Sequence, residues 1–167
     1  MRTLEKPKCS HRIGLGNDLH RLAAGKGLIL GGVRIPFKKS AVGHSDGDAL
    51  IHALCDALLG AASLGDIGGH FPDSARKWRG ASSLNFLVQV RRLLERSGFR
   101  IINLDATIGL EQPKLAPHIP RIKRTLANTL GIRVGQVSVK AKTGEGIGAV
   151  GKGKAVRADA IALIERV

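Results

Sequence analysis

The stretch His44-Ser-Asp-Gly-Asp48-Ala-Leu-Ile-His52-Ala-Leu-Cys-Asp56-Ala-Leu-Leu-Gly60 passes from a polar turn into a helix. Ser45 or Asp46 is a suitable helix cap, and Gly60 or Gly65 a suitable stop. Leu50, Ile51, Leu54, Leu58 and Leu59 recur at helical spacing and form an apolar face. Asp48, His52 and Asp56 stand four residues apart, so they share one polar stripe. Alone, such a stripe fits a solvated helix face equally well. A second cluster upstream changes its meaning.

That cluster lies in Arg12-Ile-Gly-Leu-Gly-Asn-Asp18-Leu-His20. On a strand, residues two apart point to the same side, so Asp18 and His20 pair. Joined by His52, they give one carboxylate and two imidazoles, a three-ligand set that leaves a metal coordination position open. Asp56, one turn after His52, and Asp48 are expected to orient the ligating imidazoles from behind.

Around this centre the chain reads as alternating elements. Gly27 to Pro36 predicts a hairpin about Gly31-Gly32. Leu64-Gly-Asp66-Ile-Gly68-Gly-His70-Phe71-Pro72-Asp73-Ser74 predicts a loop whose Ile67 and Phe71 make it a flap over something apolar. Residues 81–97 predict an amphipathic helix and 99–108 a strand. A Pro-stiffened turn then leads into a helix from Pro117 to Leu130, closed by Gly131. Val134 to Ala141 and Ala155 to Ile164 predict two further strands. No internal repeat appears, and the order gives an α+β fold: a single domain over 12–167, a mixed sheet with helices packed on one face.

The bulk numbers agree. With 167 residues and 43% hydrophobic content the chain can bury a core, and with aromatics at 3% that core must be aliphatic. Two distant cysteines, Cys9 and Cys55, make no disulfide framework and fit a reducing cytoplasm. No run is long and apolar enough for a membrane span. Residues 1–11 read as a basic, disordered arm without the apolar segment of a secretory signal. The net charge of +14 asks for an anionic partner, but the basic residues are scattered and no aromatics interleave with them, which does not favour nucleic acid.

Gly146-Ile-Gly-Ala-Val-Gly151-Lys152 has P-loop spacing, yet Gly153 follows where Ser or Thr is needed, and the next residues alternate as a strand. Lys140-Ala-Lys142-Thr143-Gly144-Glu145-Gly146 instead reads as a turn able to hold phosphate and a hard divalent cation together.

In order, Asp18-Leu-His20, His44-Ser-Asp-Gly-Asp48, His52, Gly-Asp66-Ile-Gly68 with Phe71-Pro72-Asp73, Pro113-Lys114 and Thr143-Gly-Glu145 resemble the 2-C-methyl-D-erythritol 2,4-cyclodiphosphate synthases, from about Arg12 to the C-terminus. The resemblance implies a phosphorus-oxygen lyase of the non-mevalonate isoprenoid route. Its members convert 4-diphosphocytidyl-2-C-methyl-D-erythritol 2-phosphate to the cyclic diphosphate and release CMP. They form homotrimers with active sites at subunit interfaces. It implies Zn²⁺ on Asp18, His20 and His52, and Mg²⁺ or Mn²⁺ reached by Glu145. His44 and Thr143 would stabilise the transition state. Ser45, Asp66, Ile67, Gly68, Phe71, Asp73 and Lys152 would bind the methylerythritol phosphate. Leu110, Glu111, Gln112, Pro113, Lys114, Leu115, Ala116, Ala141 and Lys142 would grip the cytidine diphosphate. The chain departs from the resembled pattern with Gly144 where Thr is common, Ala149 where Phe is common, and Lys152-Gly-Lys154 near the implied trimer axis. A binding module or a metal phosphohydrolase would be the competing readings; the first predicts no turnover, the second inorganic phosphate in place of CMP.

Overall fold

A computed structural model of the chain describes residues 10–72, 74–75 and 78–167. The arm expectation therefore falls almost wholly outside the described residues, as does Asp73.

Strand β1 (His11–Ala24) is an inner strand, second from the edge, of a five-stranded sheet. Strands β2 (Leu28–Leu30) and β3 (Val33–Ile35) form the expected hairpin as a separate small sheet. Strand β4 (Lys39–Ala41), which the sequence pattern did not reveal, pairs with the end of β1. Helix α1 (Ala49–Ala62) follows, then a four-residue helix α2 (Ile67–His70) inside the expected loop, and α3 (Ser83–Arg96). Strand β5 (Phe99–Gly109), α4 (Ile119–Leu130), β6 (Val137–Lys142), the short α5 (Gly148–Gly151) and β7 (Ala155–Arg166) complete the chain. The sheet order is β4-β1-β7-β5-β6, antiparallel except for the parallel β5–β6 pair. The mixed α+β expectation holds. Residues 134–136 form a 3-10 turn, so the strand expected from Val134 begins at Val137.

All three long helices lie on one sheet face. The inward face of β1 explains how α1 sits so close. Gly14 and Gly16 point at it, and a Cβ on either would overlap α1 backbone, at Ala57 and Ala61 for Gly14, at Ala53 and Ala57 for Gly16. Small residues on both elements set a short strand-to-helix distance. Further along the same face, Asp18 and His20 replace glycine, where α1 presents His52.

Two expected helix boundaries move. The α1 cap is Asp48, whose carboxylate accepts from Ile51 N, not Ser45 or Asp46. The helix ends at Ser63 in the left-handed region with φ 58°, between the two glycines expected to stop it. Ser63 and Leu64 amides return to Gly60 and Leu59 carbonyls, so the turn closes by its own hydrogen bonds. At α4 the expected Gly131 stop is found, left-handed at φ 68°.

The core is mostly aliphatic, as composition required. Three of the five aromatics, Phe71, Trp78 and Phe86, gather in one cluster, while Phe37 and Phe99 pack elsewhere. On the opposite sheet face Ile13, Leu15 and Leu19 of β1 and Ile161 of β7 are exposed at 71%, 68%, 62% and 43%.

Candidate active site

The site lies where β1, the 43–48 turn, α1 and α3 meet. Asp18 and His20 reach it from β1 and His52 from the first turns of α1. Their donor atoms all lie within 4.8 Å of one another. Asp18 Oδ2 is 2.6 Å from His20 Nδ1 and 3.7 Å from His52 Nδ1. Despite that proximity, Asp18 Oδ2 and His20 Nδ1 are buried without an aligned hydrogen-bond partner among the described residues. With His52 they form a cluster tight enough to hold one ion. An O,N,N donor set with orphaned, convergent atoms fits a borderline divalent metal.

Electrostatics keep the set ready. Burial pushes the Asp18 carboxyl up, but the His20 and His52 imidazoles beside it outweigh that and hold it below its usual value. Burial pushes His52 down, but Asp18 outweighs it, with Asp48 and Asp46 adding, so His52 lies above its usual value.

A cleft of about 430 Å³ opens over these residues, and His44, Ser45, Ile67, Gly68 and Phe71 line it together with Asp18, His20 and His52. His44 Nε2 is buried there with no hydrogen-bond partner among the described residues. Phe71, Trp78 and Phe86 form one wall. Phe71 and Phe86 stack at 4.8 Å between centroids, and Trp78 meets each edge-on at 5.3 Å. Asp66 caps α2 by accepting from Gly69 N at 2.9 Å, which fixes the backbone under Ile67 and Gly68.

The remaining expected site residues form a second group that does not line this cleft. Leu110 N donates to Lys142 O at 2.9 Å, and Glu111 Oε2 accepts from Gly144 N at 2.9 Å. These bonds bring residues 110–116 beside 141–145. Thr143 Oγ1 donates to Glu145 Oε1, and Glu145 is left-handed at φ 50°. A Cβ at Gly144 would overlap Gly151 backbone, which explains glycine at this position. The glycine-rich segment thus folds back on itself and feeds β7, as its rejection as a P-loop required. Lys152 is exposed at the end of α5.

Asp48 and Asp56 do not face the imidazoles in the way their spacing suggested. Asp48 is wholly buried, and its carboxylate accepts from Gly31 N at 2.9 Å, Gly32 N at 2.7 Å and Ile51 N at 3.1 Å. It ties the β2–β3 turn to the start of α1. Asp56 Oδ1 accepts from Ile67 N at 2.7 Å and anchors α2. Spacing cannot show this, because both backbone donors come from distant segments. Of the residues that do touch His52, Ser45 was expected only to bind substrate, and Ser83 was missed. His52 Nε2 lies 3.0 Å from Ser83 Oγ and 3.1 Å from Ser45 Oγ. Ser83 stands in Ala81-Ser-Ser83, an ordinary helix start in sequence; being wholly buried is its distinguishing mark, and sequence does not display that.

The fold and site define a single-domain α+β protein with a carboxylate–diimidazole centre, of metal-binding type, at a sheet–helix junction. A family profile described as the YgbB family matches residues 11–165, and the chain belongs to that family. It is 50% identical over 155 residues to a 2-C-methyl-D-erythritol 2,4-cyclodiphosphate synthase of Syntrophomonas wolfei, covering 93% of this chain and 99% of that one. To the synthase of Gloeobacter violaceus it is 53% identical over 154 residues, covering 92% and 94%. A solved structure of a 2C-methyl-D-erythritol-2,4-cyclodiphosphate synthase in a CDP-bound form superposes with TM-score 0.86 at 41% identity, over 92% of this chain and all of that one. The bifunctional IspDF of Campylobacter jejuni gives TM-score 0.92 at 34% identity; 96% of this chain is covered, and it spans 44% of that protein.

Proposed function

We propose that this chain converts 4-diphosphocytidyl-2-C-methyl-D-erythritol 2-phosphate to 2-C-methyl-D-erythritol 2,4-cyclodiphosphate and CMP, a lyase step toward isoprenoid precursors. The observation that carries this reading is the convergent, orphaned Asp18/His20 pair with His52 in the cleft, within a chain half identical to such synthases.

In this reaction a 2-phosphate oxygen attacks the β-phosphorus, the bond to the bridging oxygen breaks, and CMP leaves with that oxygen and its electron pair. No protein nucleophile is consumed. The work is in-line positioning and charge stabilisation. Zn²⁺ held by Asp18, His20 and His52, and Mg²⁺ or Mn²⁺ reached by Glu145, would when bound offset phosphate charge and polarise the β-phosphoryl group. His44 Nε2, unpartnered in the cleft, is placed to donate to a phosphoryl oxygen, and Thr143 supplies a hydroxyl donor. Asp66, Ile67, Gly68 and Phe71 would enclose the methylerythritol phosphate; Asp73, expected to join them, lies outside the described residues. The aromatic wall of Phe71, Trp78 and Phe86 keeps water from competing with the internal nucleophile.

The cytidine-binding and catalytic residues of the 110–116 and 141–145 segments stand apart from the cleft of their own chain. This supports sites completed across subunits of a homotrimer. The exposed apolar face of Ile13, Leu15, Leu19 and Ile161 suits burial in that assembly. Among the described residues no helix is long and apolar enough to cross a membrane. The free, buried Cys55 thiol suits a cytoplasmic setting.

The test is CMP release from the cytidyl substrate, with and without a chelator, beside His52→Ala. Chelator-sensitive CMP release that the variant lacks is expected. Inorganic phosphate in place of CMP would shift the reading to a hydrolase, and no turnover by a folded, metal-loaded protein would overturn it.

A further inference from the structure

We propose that Asp46 and Ser83 are positioning residues: together they fix the ring of His52 so that Nδ1 is left free as a ligand atom. The inference rests on the metal reading of Asp18, His20 and His52 above and goes further, to two residues that reading leaves without a role.

The two faces of the His52 ring have different company. Nδ1 faces the Asp18 carboxylate at 3.7 Å, on the side where the ligand atoms converge. Nε2, on the opposite side, meets Ser83 Oγ at 3.0 Å and Ser45 Oγ at 3.1 Å. A hydroxyl can donate or accept, so these contacts alone do not choose a tautomer. Asp46 makes the choice. Ser83 Oγ donates to Asp46 Oδ1, and Ser83 N donates to Asp46 Oδ2 at 3.0 Å. With its proton committed to a carboxylate, Ser83 Oγ offers Nε2 only a lone pair. Nε2 must then carry the ring proton, and Nδ1 keeps its lone pair for a metal.

Ser45 cannot do the same. Its Oγ is near Gly47 N and Ser83 Oγ, each at 3.4 Å, and among the described residues no carboxylate stands behind it to fix its proton. The Ser83 side is also rigid. Ser83 is wholly buried at the start of α3, and its segment is tied to the 44–46 turn by Asp46 N to Ala81 O at 3.1 Å and Gly80 N to His44 O at 2.9 Å. The carboxylate, the hydroxyl and the imidazole thus form one line from the 44–46 turn through α3 and α1 to the centre.

The experiment measures zinc binding to the full-length chain by competition with a chromophoric chelator, for wild type, Ser83→Ala, Ser83→Thr, Ser45→Ala and Asp46→Asn. It is paired with ¹⁵N imidazole NMR of the metal-free proteins. Ser83→Ala is expected to weaken zinc about 10- to 100-fold, the range for partners that orient a ligating imidazole. Ser83→Thr, which keeps the hydroxyl, is expected to stay within about threefold of wild type, and Ser45→Ala likewise. The wild-type spectrum should show the Nε2–H tautomer of His52, with Ser83→Ala and Asp46→Asn mixed. Zinc affinity unchanged in Ser83→Ala, a larger loss in Ser45→Ala, or an Nδ1–H tautomer in wild type would overturn the proposal. Failure of wild type to bind zinc would instead strike the metal reading, and the tautomer spectra would still decide the relay. If Ser83→Ala does not fold, Asp46→Asn with Ser83→Thr decides by the same readouts.

Discussion

Asp48→Ala offers a sharp test of how the fold is held around the site. The Asp48 carboxylate is wholly buried and takes three backbone donors: Gly31 N, Gly32 N and Ile51 N at 2.9, 2.7 and 3.1 Å. Truncation removes the α1 cap, at about 1 kcal/mol. It also strands the two hairpin amides, each costing about 1–3 kcal/mol where water cannot replace the acceptor. The expected loss is therefore about 3–7 kcal/mol, or a fall in Tm of roughly 10–20 °C for a chain of this size. Urea unfolding followed by circular dichroism checks it, at one protein concentration because assembly couples stability to concentration. A loss under about 1 kcal/mol would refute the reasoning, since no single buried three-donor carboxylate should be that cheap to remove. The pH dependence supplies a second check. Burial pushes the Asp48 carboxyl up to about 6, against the pull of Gly32, Ile51 and Gly31 amides and with the Asp46 charge adding to the rise. Between the unfolded value of 3.8 and 6 the folded state holds the extra proton, so the stability from Asp48 falls as pH rises through that window. The advantage of wild type over the alanine variant should accordingly narrow from pH 4 to pH 6.

Asp18→Asn or His52→Ala should abolish CMP release, by at least about 10³-fold, with the fold retained by circular dichroism; one of three ligands cannot be spared from an open metal site. Zinc affinity should decline as pH falls, beginning above the ordinary imidazole range, because His52 is raised above 6.5 and must lose its proton to ligate; titration of zinc binding against pH checks this, and an affinity independent of pH between 8 and 5 would contradict it. Gly16→Ala should cost about 1–3 kcal/mol or more, since a Cβ there overlaps Ala53 and Ala57 backbone; it should also weaken zinc, as His52 precedes Ala53, and wild-type zinc affinity in the variant would show that strand-to-helix spacing does not set the site. Leu15→Glu, at a position 68% exposed on the apolar sheet face, should leave a folded monomer by light scattering if that face is the subunit interface.

What the sequence determined by itself is what depends on local period and residue chemistry. The spacing of leucines around His52 gave α1, the paired glycines gave the β2–β3 turn, and Gly131 gave the end of α4, because each follows from backbone geometry over a few residues. Asp18, His20 and His52 could be grouped because carboxylate and imidazole are specific donors. The assignments to Asp48 and Asp56 went differently for a definite reason. A side chain on a helix stripe can turn toward any polar group within reach, and Gly31, Gly32 and Ile67 amides come from elsewhere in the chain. Only the packed structure brings them near. The same applies to Ser83 and Asp46, which are 37 residues apart and meet only because α3 docks against the 44–46 turn. Tertiary structure alone also decided the distance from β1 to α1. Gly14 and Gly16 read as strand glycines of no particular use until the alanines of α1 lie against them, and that close approach is what lets His52 reach Asp18.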